Sequence, residues 1–228
     1  MDEGFQAVTI TLSSRLQVIA DWVPFGARLV DIGTDHAQLP IHLLLTQQIA
    51  CAIAGDKARK PLNGAQLNKE KYRLTDQQLT LFHSDGMKNI PLCSSDVITM
   101  SGMGGKTMIE VLSSPKVDPS HRLILQPNRD VAYLRAFLSE RRWKISDEKM
   151  IEENGQFYPT LLVAAGRQAL SAEQAYLGPV LTRDRPVAWL RWLAKENLRF
   201  ERISSASKGQ MIAEKQRQWS WVKKQLSY

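Results

Sequence analysis

Residues 29–37 read LVDIGTDHA, an apolar run that ends in an acid, a glycine and a short polar turn. Near-continuous apolar runs of this kind are typical of strands that are buried on both faces. A glycine after such a strand lets the chain turn tightly and lets a ligand approach the backbone. The dinucleotide fingerprint needs three glycines, and after Gly33 the second place is taken by Asp35 and the third also lacks a glycine. The stretch therefore predicts a strand–turn–helix unit of an α/β sheet.

Similar apolar runs recur through the first 165 residues and alternate with helical stretches. The predicted strands are 27–32, 50–55, 79–83, 96–100 and 122–126. Two later runs, 143–152 and 157–165, are separated by turn-forming residues and predict an antiparallel hairpin. Strands that alternate with helices indicate a mostly parallel, Rossmann-like sheet with helices on its faces.

The charge of the chain is concentrated at one end. Its 228 residues include 30 Lys and Arg and 23 Asp and Glu, a formal net charge of +7. Residues 1–165 contain 18 of each kind, so the whole excess lies in residues 166–228. This boundary predicts a neutral domain followed by a basic appendage, and a polyanionic partner such as nucleic acid. The alternative is a basic helical surface that is merely solvated.

The appendage has the pattern of two helices joined by the turn-like residues 204–209, which predicts an α-helical hairpin. The apolar positions that would hold the helices together are Trp189, Leu193, Trp219 and Val222. A basic stripe along the first helix consists of Arg191, Lys195, Arg199 and Arg202. Residues three or four apart share a helix face, so the stripe is predicted to follow the phosphates of a nucleic acid.

A second basic cluster, Lys57, Arg59 and Lys60, opens a predicted helix. Cations at this end oppose the helix dipole, which favours an anionic partner such as a nucleic acid, or simply exposed side chains. Both interpretations remain open at this point.

Several classes of protein are disfavoured by the sequence. No run approaches 18 apolar residues, so no membrane span is predicted, and residues 1–4 are acidic where a secretory leader would be basic. Cys51 and Cys93 have neither the number nor the spacing of a disulfide framework or a metal site. We expect a cytoplasmic protein without a metal; the sequence leaves its oligomeric state open.

Acids and glycines follow four of the predicted strands. They are Asp31 with Gly33, then Asp56, then Asp85 with Gly86, and finally Ser101 with Gly102 in the SGMGG stretch. Ligands of open α/β sheets bind at this edge, and an acid about 20 residues after the first glycine accepts hydrogen bonds from ribose hydroxyls. Asp56 stands at this spacing, although an aspartate there also makes a good helix N-cap. The four turns together predict a cofactor that carries adenosine, and the SGMGG glycines predict a ligand packed against the backbone.

The motifs resemble those of one known family. They are LSSRL (12–16), DIGTDHAQLP (31–40), AGD (54–56), SDGM (84–87), SGMGG (101–105) and LILQPN (123–128). This set is similar to the bacterial TrmK family of S-adenosylmethionine-dependent tRNA methyltransferases, which modify N1 of adenosine 22 in the D-arm. The resemblance covers about residues 12–165. It implies a class I methyltransferase sheet, and the basic helical tail matches the two-part layout of the family.

The resemblance also implies roles for individual residues. Those it assigns to the cofactor are Arg15, Asp31, Gly33, Asp56, Asp85, Gly86, Ser101 and Gly102. Arg15 would meet the cofactor's carboxylate, Asp56 its ribose and Asp85 the edge of its adenine. The Asn-Pro-Pro-aromatic motif of N6-adenine methyltransferases is missing, which argues against methylation of the exocyclic amine.

Methylation at N1 requires little acid–base chemistry, because this nitrogen carries a lone pair at neutral pH. The protein must align the base with the methyl donor and stabilise the positive charge that develops on the base. Asp35 is predicted to supply the carboxylate, with His36 beside it and Asn128 as an orienting hydrogen-bonding group. The alternatives are that Asp35 caps the next helix and that His36 is a structural imidazole.

Three other functions are compatible with parts of the sequence. One is methylation of another RNA position or of a protein, and the second is a catalytically silent RNA-binding module. The third, a nicotinamide-dependent oxidoreductase, is disfavoured because the glycine fingerprint is incomplete.

Overall fold

The structure, a computed structural model, describes residues 10–207 and 211–227. The strands are β1 (Arg28–Ile32), β2 (Cys51–Asp56), β3 (Leu79–His83), β4 (Val97–Ser101), β5 (Arg122–Gln126), β6 (Trp143–Glu153) and β7 (Gln156–Ala165). They form one sheet in the order β3-β2-β1-β4-β5-β7-β6. Each of these strands lies close to its predicted position, so the Rossmann-like sheet and its closing hairpin are confirmed.

The centre of the sheet is parallel and buried on both faces. β1 pairs in parallel with β2 and with β4, so Val30 stands opposite both Ile53 and Ile98. Its neighbour Leu29 points to the other face, and both side chains are fully buried. This double burial is why the strand is a continuous apolar run. β7 is antiparallel to β5 and β6 and ends the parallel part.

The helices cover both faces of the sheet. They are α1 (Ser14–Trp22), α2 (Gln38–Leu45), α3 (Arg59–Lys71), α4 (Gly105–Leu112), α5 (Val131–Glu140), α6 (Ala172–Leu177), α7 (Pro179–Asp184), α8 (Val187–Ala206) and α9 (Ala213–Leu226). Ile19, Ile41 and Ala65 of α1, α2 and α3 belong to the core on one face. Met108 of α4 and Leu134 of α5 belong to the core on the other. The turns that follow β1 to β4 therefore project from a layered, well-packed scaffold.

The helices α8 and α9 run antiparallel. The Arg185 guanidinium, just before α8, donates to the Gln225 side chain near the end of α9 at 3.0 Å, and Trp219 donates to Asn197 at 2.7 Å. The predicted helical hairpin is thus confirmed. The turn predicted over 204–209 is wrong in its first half, because α8 continues through Ala206; positions 208 and 209 lie outside the described residues.

A third core holds these helices against the hairpin of the sheet. Trp189, Leu193 and Val222 are fully buried in it, Met150 of β6 is also buried there, and Phe157 of β7 packs against it. No helix within residues 10–207 and 211–227 has the length and apolar character needed to cross a membrane.

Candidate active site

A cavity of about 700 Å³ opens where β1 to β4 end. Residues predicted to bind the cofactor line it: Gly33, Asp56, Asp85, Gly86, Ser101 and Gly102. Lys57, predicted to contact RNA, lines the same cavity. The parallel strands thus bring together at one edge side chains that are far apart in the sequence.

Backbone hydrogen bonds hold the turns of this cavity in place. The Gly33 amide donates to the Gly55 carbonyl at 2.8 Å, and the Gly102 amide donates to the Gln126 carbonyl at 3.2 Å. Gly102 has a φ of +75° and has open space where a side chain would stand. Any other residue at this position would have a strained backbone, and its side chain would occupy the open space.

Two carboxylates stand on the β2 and β3 side of the cavity. Asp56 accepts a hydrogen bond from the Ala58 amide at 2.6 Å, and Ala58 itself is the N-cap of α3. The interpretation of Asp56 as that N-cap is therefore wrong, although its side chain does brace the turn. Asp85 accepts from the Lys88 ammonium at 2.7 Å, which holds the pKa of the Asp85 carboxyl below its ordinary value. Asp85 is consequently an ionised hydrogen-bond acceptor at neutral pH.

Asp31 does not line the cavity. It is almost fully buried and accepts a hydrogen bond from the Thr99 hydroxyl at 2.7 Å. Burial raises the pKa of the Asp31 carboxyl, because the charged form has lost its hydration. Such a group favours a positively charged ligand nearby.

Arg15 also lies apart from the cavity lining. Its guanidinium is 3.6 Å from the Glu153 carboxylate, donates to the Gln126 side chain at 3.3 Å, and stands 5.6 Å from the centre of the Tyr158 ring. These contacts join α1 to the β6–β7 hairpin. The structure therefore does not bring Arg15 together with the other residues predicted to bind the cofactor.

Asp35 and His36 are accessible side chains in the turn after β1. They are 68% and 45% exposed, and the His36 Nε2 atom is 3.6 Å from the Asp35 carboxylate. The N-cap of α2 is Ala37 and has no side-chain cap, so the interpretation of Asp35 as an N-cap is wrong. His36 and Ala37 both have left-handed backbones, with φ of +54°, a conformation that is unfavourable for residues other than glycine.

Contacts with α3 hold this strained turn. The Asn68 amide donates to the His36 carbonyl at 2.9 Å, and the His36 ring occupies the space where a Gly64 side chain would be. Strain of this kind persists only where the surroundings enforce it, and it concentrates at functional sites.

Asn128 connects the turn after β5 to the SGMGG loop. Its amide nitrogen Nδ2 donates to the Gly102 carbonyl at 2.9 Å, and its backbone amide donates to the Met103 carbonyl at 3.0 Å. A Cβ atom on Gly105 would lie 2.5 Å from the Asp130 carbonyl oxygen. Close packing between the two loops thus explains why residue 105 is a glycine. Of the three glycines in SGMGG, only Gly102, which lines the cavity, has open space where a side chain would stand.

Much of the predicted basic stripe contacts the protein itself. Arg191 pairs with Glu152 at 3.0 Å, Lys195 donates to the Gly155 carbonyl at 2.7 Å, and Arg199 pairs with Glu196 at 2.7 Å. The two further predicted cations, Arg202 on α8 and Arg59 at the start of α3, are exposed. An exposed ion pair such as Arg191–Glu152 contributes little, about 0–1 kcal/mol, so the Arg191 guanidinium remains available to phosphate.

Lys106, Arg129 and Tyr133 form an accessible patch beside Asn128 that the sequence did not predict. The Lys106 ammonium stands 5.0 Å from the centre of the Tyr133 ring, which is 55% exposed. Lys106 and Arg129 follow the SGMGG and LILQPN motifs directly, but no periodicity marks them or Tyr133. Within residues 10–207 and 211–227, no group of three or more His, Cys, Asp and Glu side chains is arranged to hold a metal ion.

Comparisons with known proteins agree with this geometry. A family model described as a methyltransferase domain matches residues 12–161. The tRNA (adenine(22)-N(1))-methyltransferase of Bacillus subtilis is 33% identical over 211 residues, which cover 87% of this chain and 88% of that protein.

Solved structures are similar over almost the whole chain. The m1A22 tRNA methyltransferase TrmK of B. subtilis has a TM-score of 0.82 and 29% identity, covering 96% of this chain and 97% of its own. A Streptococcus pneumoniae protein, described as a candidate tRNA (m1A22) methyltransferase and solved with S-adenosyl-L-methionine, has a TM-score of 0.85 and 32% identity, covering 95% of this chain and all of its own. The chain therefore belongs to the TrmK family of tRNA (adenine(22)-N(1))-methyltransferases.

Proposed function

We propose that the chain transfers the methyl group of S-adenosylmethionine to N1 of adenosine 22 in tRNA. The observation that carries the proposal is the convergence of Asp56, Asp85 and Gly102 on one cavity where the parallel strands end. Membership of the TrmK family supports both the reaction and the substrate. A tRNA substrate also supports a cytoplasmic location.

The cavity fits the chemistry of the cofactor. The Asp56 carboxylate would accept hydrogen bonds from ribose hydroxyls, and Asp85 would accept one from the adenine amine. The volume of about 700 Å³ is within the range of small-molecule sites, about 300–1,000 Å³. When bound, the cofactor supplies an electrophilic methyl group on a positively charged sulfur, and buried Asp31 favours such a charge.

Three residues outside the cavity lining serve the target base, one directly and two by positioning. Asp35 stabilises the positive charge that the adenine ring gains at N1, and it accepts a proton from N6 afterwards. Its high exposure is appropriate, since the base must arrive from solvent. Asn128 acts through the loop that it holds at Gly102, so that it positions the edge of the cavity. His36 places Asp35 by means of the strained turn that both residues share.

The target nitrogen is inaccessible in a stacked or paired adenine, so the base must leave its helix before it reacts. We assign tRNA affinity to the basic cations of α8 and of the α3 start, because phosphate contacts provide most of the affinity for nucleic acid. In this proposal residues 1–165 bind the cofactor, and residues 166–228 hold the tRNA together with the cations at the start of α3.

The direct test is to incubate the purified chain with S-adenosylmethionine and a tRNA transcript, digest the RNA and identify methylated nucleosides by mass spectrometry. We expect 1-methyladenosine, and none from a matched transcript with guanosine at position 22. Methylation at another nucleotide would contradict adenosine 22 as the target. Cofactor binding without any methylated nucleoside would indicate a catalytically silent RNA-binding module.

A further inference from the structure

A second cavity lies between the methyltransferase sheet and the C-terminal helices. It has a volume of about 790 Å³ and lies between α5, the β6–β7 hairpin and the helices α6, α8 and α9. We call it the junction cleft. Five aromatic side chains line it, namely Tyr133, Phe157, Tyr176, Trp192 and Trp221. Of its lining residues, the proposed methyl-transfer step uses only Asn128.

Three of the five rings that line the junction cleft are neighbours of one another. The centre of the Tyr176 ring is 6.0 Å from that of Trp192 and 6.0 Å from that of Trp221, with tilts of 48° and 50°. The Tyr176 hydroxyl donates to Glu196 at 2.7 Å, which fixes the ring. All three rings are only partly buried, so part of their aromatic surface faces the cleft.

The junction cleft continues towards the cofactor cavity. Asn128 lines the cleft and holds the Gly102 carbonyl, and Gly102 lines the cofactor cavity. Next to Asn128, the Arg129 side chain packs against Gly104, and a Cβ atom on that glycine would lie 2.9 Å from its Nε. Arg129 is 77% exposed, so its guanidinium is accessible between the two cavities.

The accessible wall of the junction cleft carries as many positively charged as negatively charged side chains. The cations there are Arg129, Arg199 and Arg217, and the carboxylates are Asp130, Glu196 and Glu214. Arg135 also reaches the cleft but is buried and paired with Glu148. A balanced site lined by rings suits a neutral planar group, while exposed Arg129 and neighbouring Lys106 suit the phosphates on either side of it.

On the basis of the proposed function, we propose that the junction cleft binds an unpaired nucleobase of the tRNA that lies near the target adenosine. The base stacks on the rings of Tyr133 and Trp221, and the adjoining phosphates contact Arg129 and Lys106. Because aromatic stacking tolerates every base, the cleft holds the strand that leaves the active site without reading its sequence.

The first test compares Tyr133→Ala and Trp221→Ala with Tyr133→Phe and Trp221→Phe. Loss of one stacking ring is expected to raise KM for tRNA roughly tenfold, with kcat and the affinity for S-adenosylmethionine unchanged. The phenylalanine variants should restore KM. Leu198→Ala, which removes an exposed apolar side chain of α8 outside the cleft, is the control. An unchanged KM in Tyr133→Ala and Trp221→Ala would overturn the proposal.

The second test locates the base. The wild-type chain is irradiated with tRNA that carries 4-thiouridine at each nucleotide flanking adenosine 22 in turn, and the crosslinked peptides are sequenced. We expect crosslinks within residues 129–133 or 214–221 from at least one flanking position. Crosslinks confined to other segments, or a dimer in sedimentation that Trp221→Ala abolishes, would overturn the proposal.

The two tests separate this inference from the proposed function. Failure of the wild-type chain to form 1-methyladenosine would refute the function, whereas crosslinking reports the occupant of the cleft whatever reaction follows. Normal methylation with no crosslink in the cleft would refute only the inference.

Discussion

The Arg135 guanidinium and the Glu148 carboxylate form a buried ion pair at 2.7 Å that links the sheet to the C-terminal helices. The second oxygen of Glu148 accepts from the Val180 amide in the first turn of α7, at 2.9 Å. Arg135 also donates to the Ala175 and Tyr176 carbonyls in the last turn of α6, at 3.0 and 3.1 Å. A carboxylate thus meets a helix N-terminus and a guanidinium meets a helix C-terminus, as the helix dipoles favour.

Removal of one partner of this pair should destabilise the whole chain. Glu148→Ala leaves a buried guanidinium without its counter-ion, a change that typically costs about 3–5 kcal/mol. For a chain of this size we expect the midpoint of thermal unfolding to fall by roughly 10 °C, measured by circular dichroism. Arg183→Ala, which breaks the exposed pair with Asp184, is the control and should change it little. Equal effects of the two variants would contradict the assigned role.

Replacement of Asp35 should affect turnover and leave the cofactor in place. The side chain is exposed and braces no helix, so Asp35→Ala should fold normally. If Asp35 stabilises charge on the base, kcat should fall at least about a hundredfold. Rapid-quench methylation measures this loss, and calorimetry with S-adenosylmethionine should give nearly the wild-type affinity. Near-normal turnover would remove Asp35 from the mechanism.

Asp31 should make the stability of the cofactor-free chain depend on pH. Burial raises the pKa of its carboxyl, so its contribution to stability is fully present below the unfolded pKa, about 3.9, and is lost as pH rises through the raised folded value. Asp31→Asn removes the ionisation and keeps an oxygen that can accept from Thr99. Thermal unfolding should show the variant more stable than the wild type at about pH 8, with the difference shrinking towards about pH 4. A difference that does not vary with pH would contradict this origin.

Charge reversal on α8 should weaken tRNA binding. Replacement of Arg191, Lys195 and Arg199 by Glu removes phosphate contacts and adds repulsion, so the affinity should fall and the salt dependence of binding should become shallower. Fluorescence anisotropy at several salt concentrations measures both. The control is Arg122→Glu, an exposed cation at the amino end of β5, opposite the cavity. Unchanged affinity at physiological salt would leave α8 with a structural role only.

The strands of the sheet were predictable because burial on both faces leaves a continuous apolar run in the sequence of each central strand. Leu29 and Val30 are apolar since both faces of β1 are covered, and the same holds for Leu123 and Ile124 of β5. Since carboxyl ends of parallel strands meet at one edge, the convergence of Asp56 and Asp85 also followed from their positions in sequence.

The contacts that the sequence did not predict depend on tertiary packing. The partner of Arg191 is Glu152 in the hairpin, and no spacing rule connects them. The helix α7 begins at Pro179, and the sequence alone does not separate it from α6, because a proline is typical both of the end of one helix and of the first turn of the next. The close contact of Gly105 with Asp130 likewise requires two loops to meet, which residue composition does not reveal.

The hairpin of the sheet contributes Met150 and Phe157 to the core of the C-terminal helices. A fragment that stops at residue 165 would therefore expose this apolar surface to water, and a fragment that starts at residue 166 would lack part of its own interior. We expect neither fragment to fold stably when it is expressed alone. Catalysis and tRNA affinity must therefore be separated by point substitutions in the intact chain.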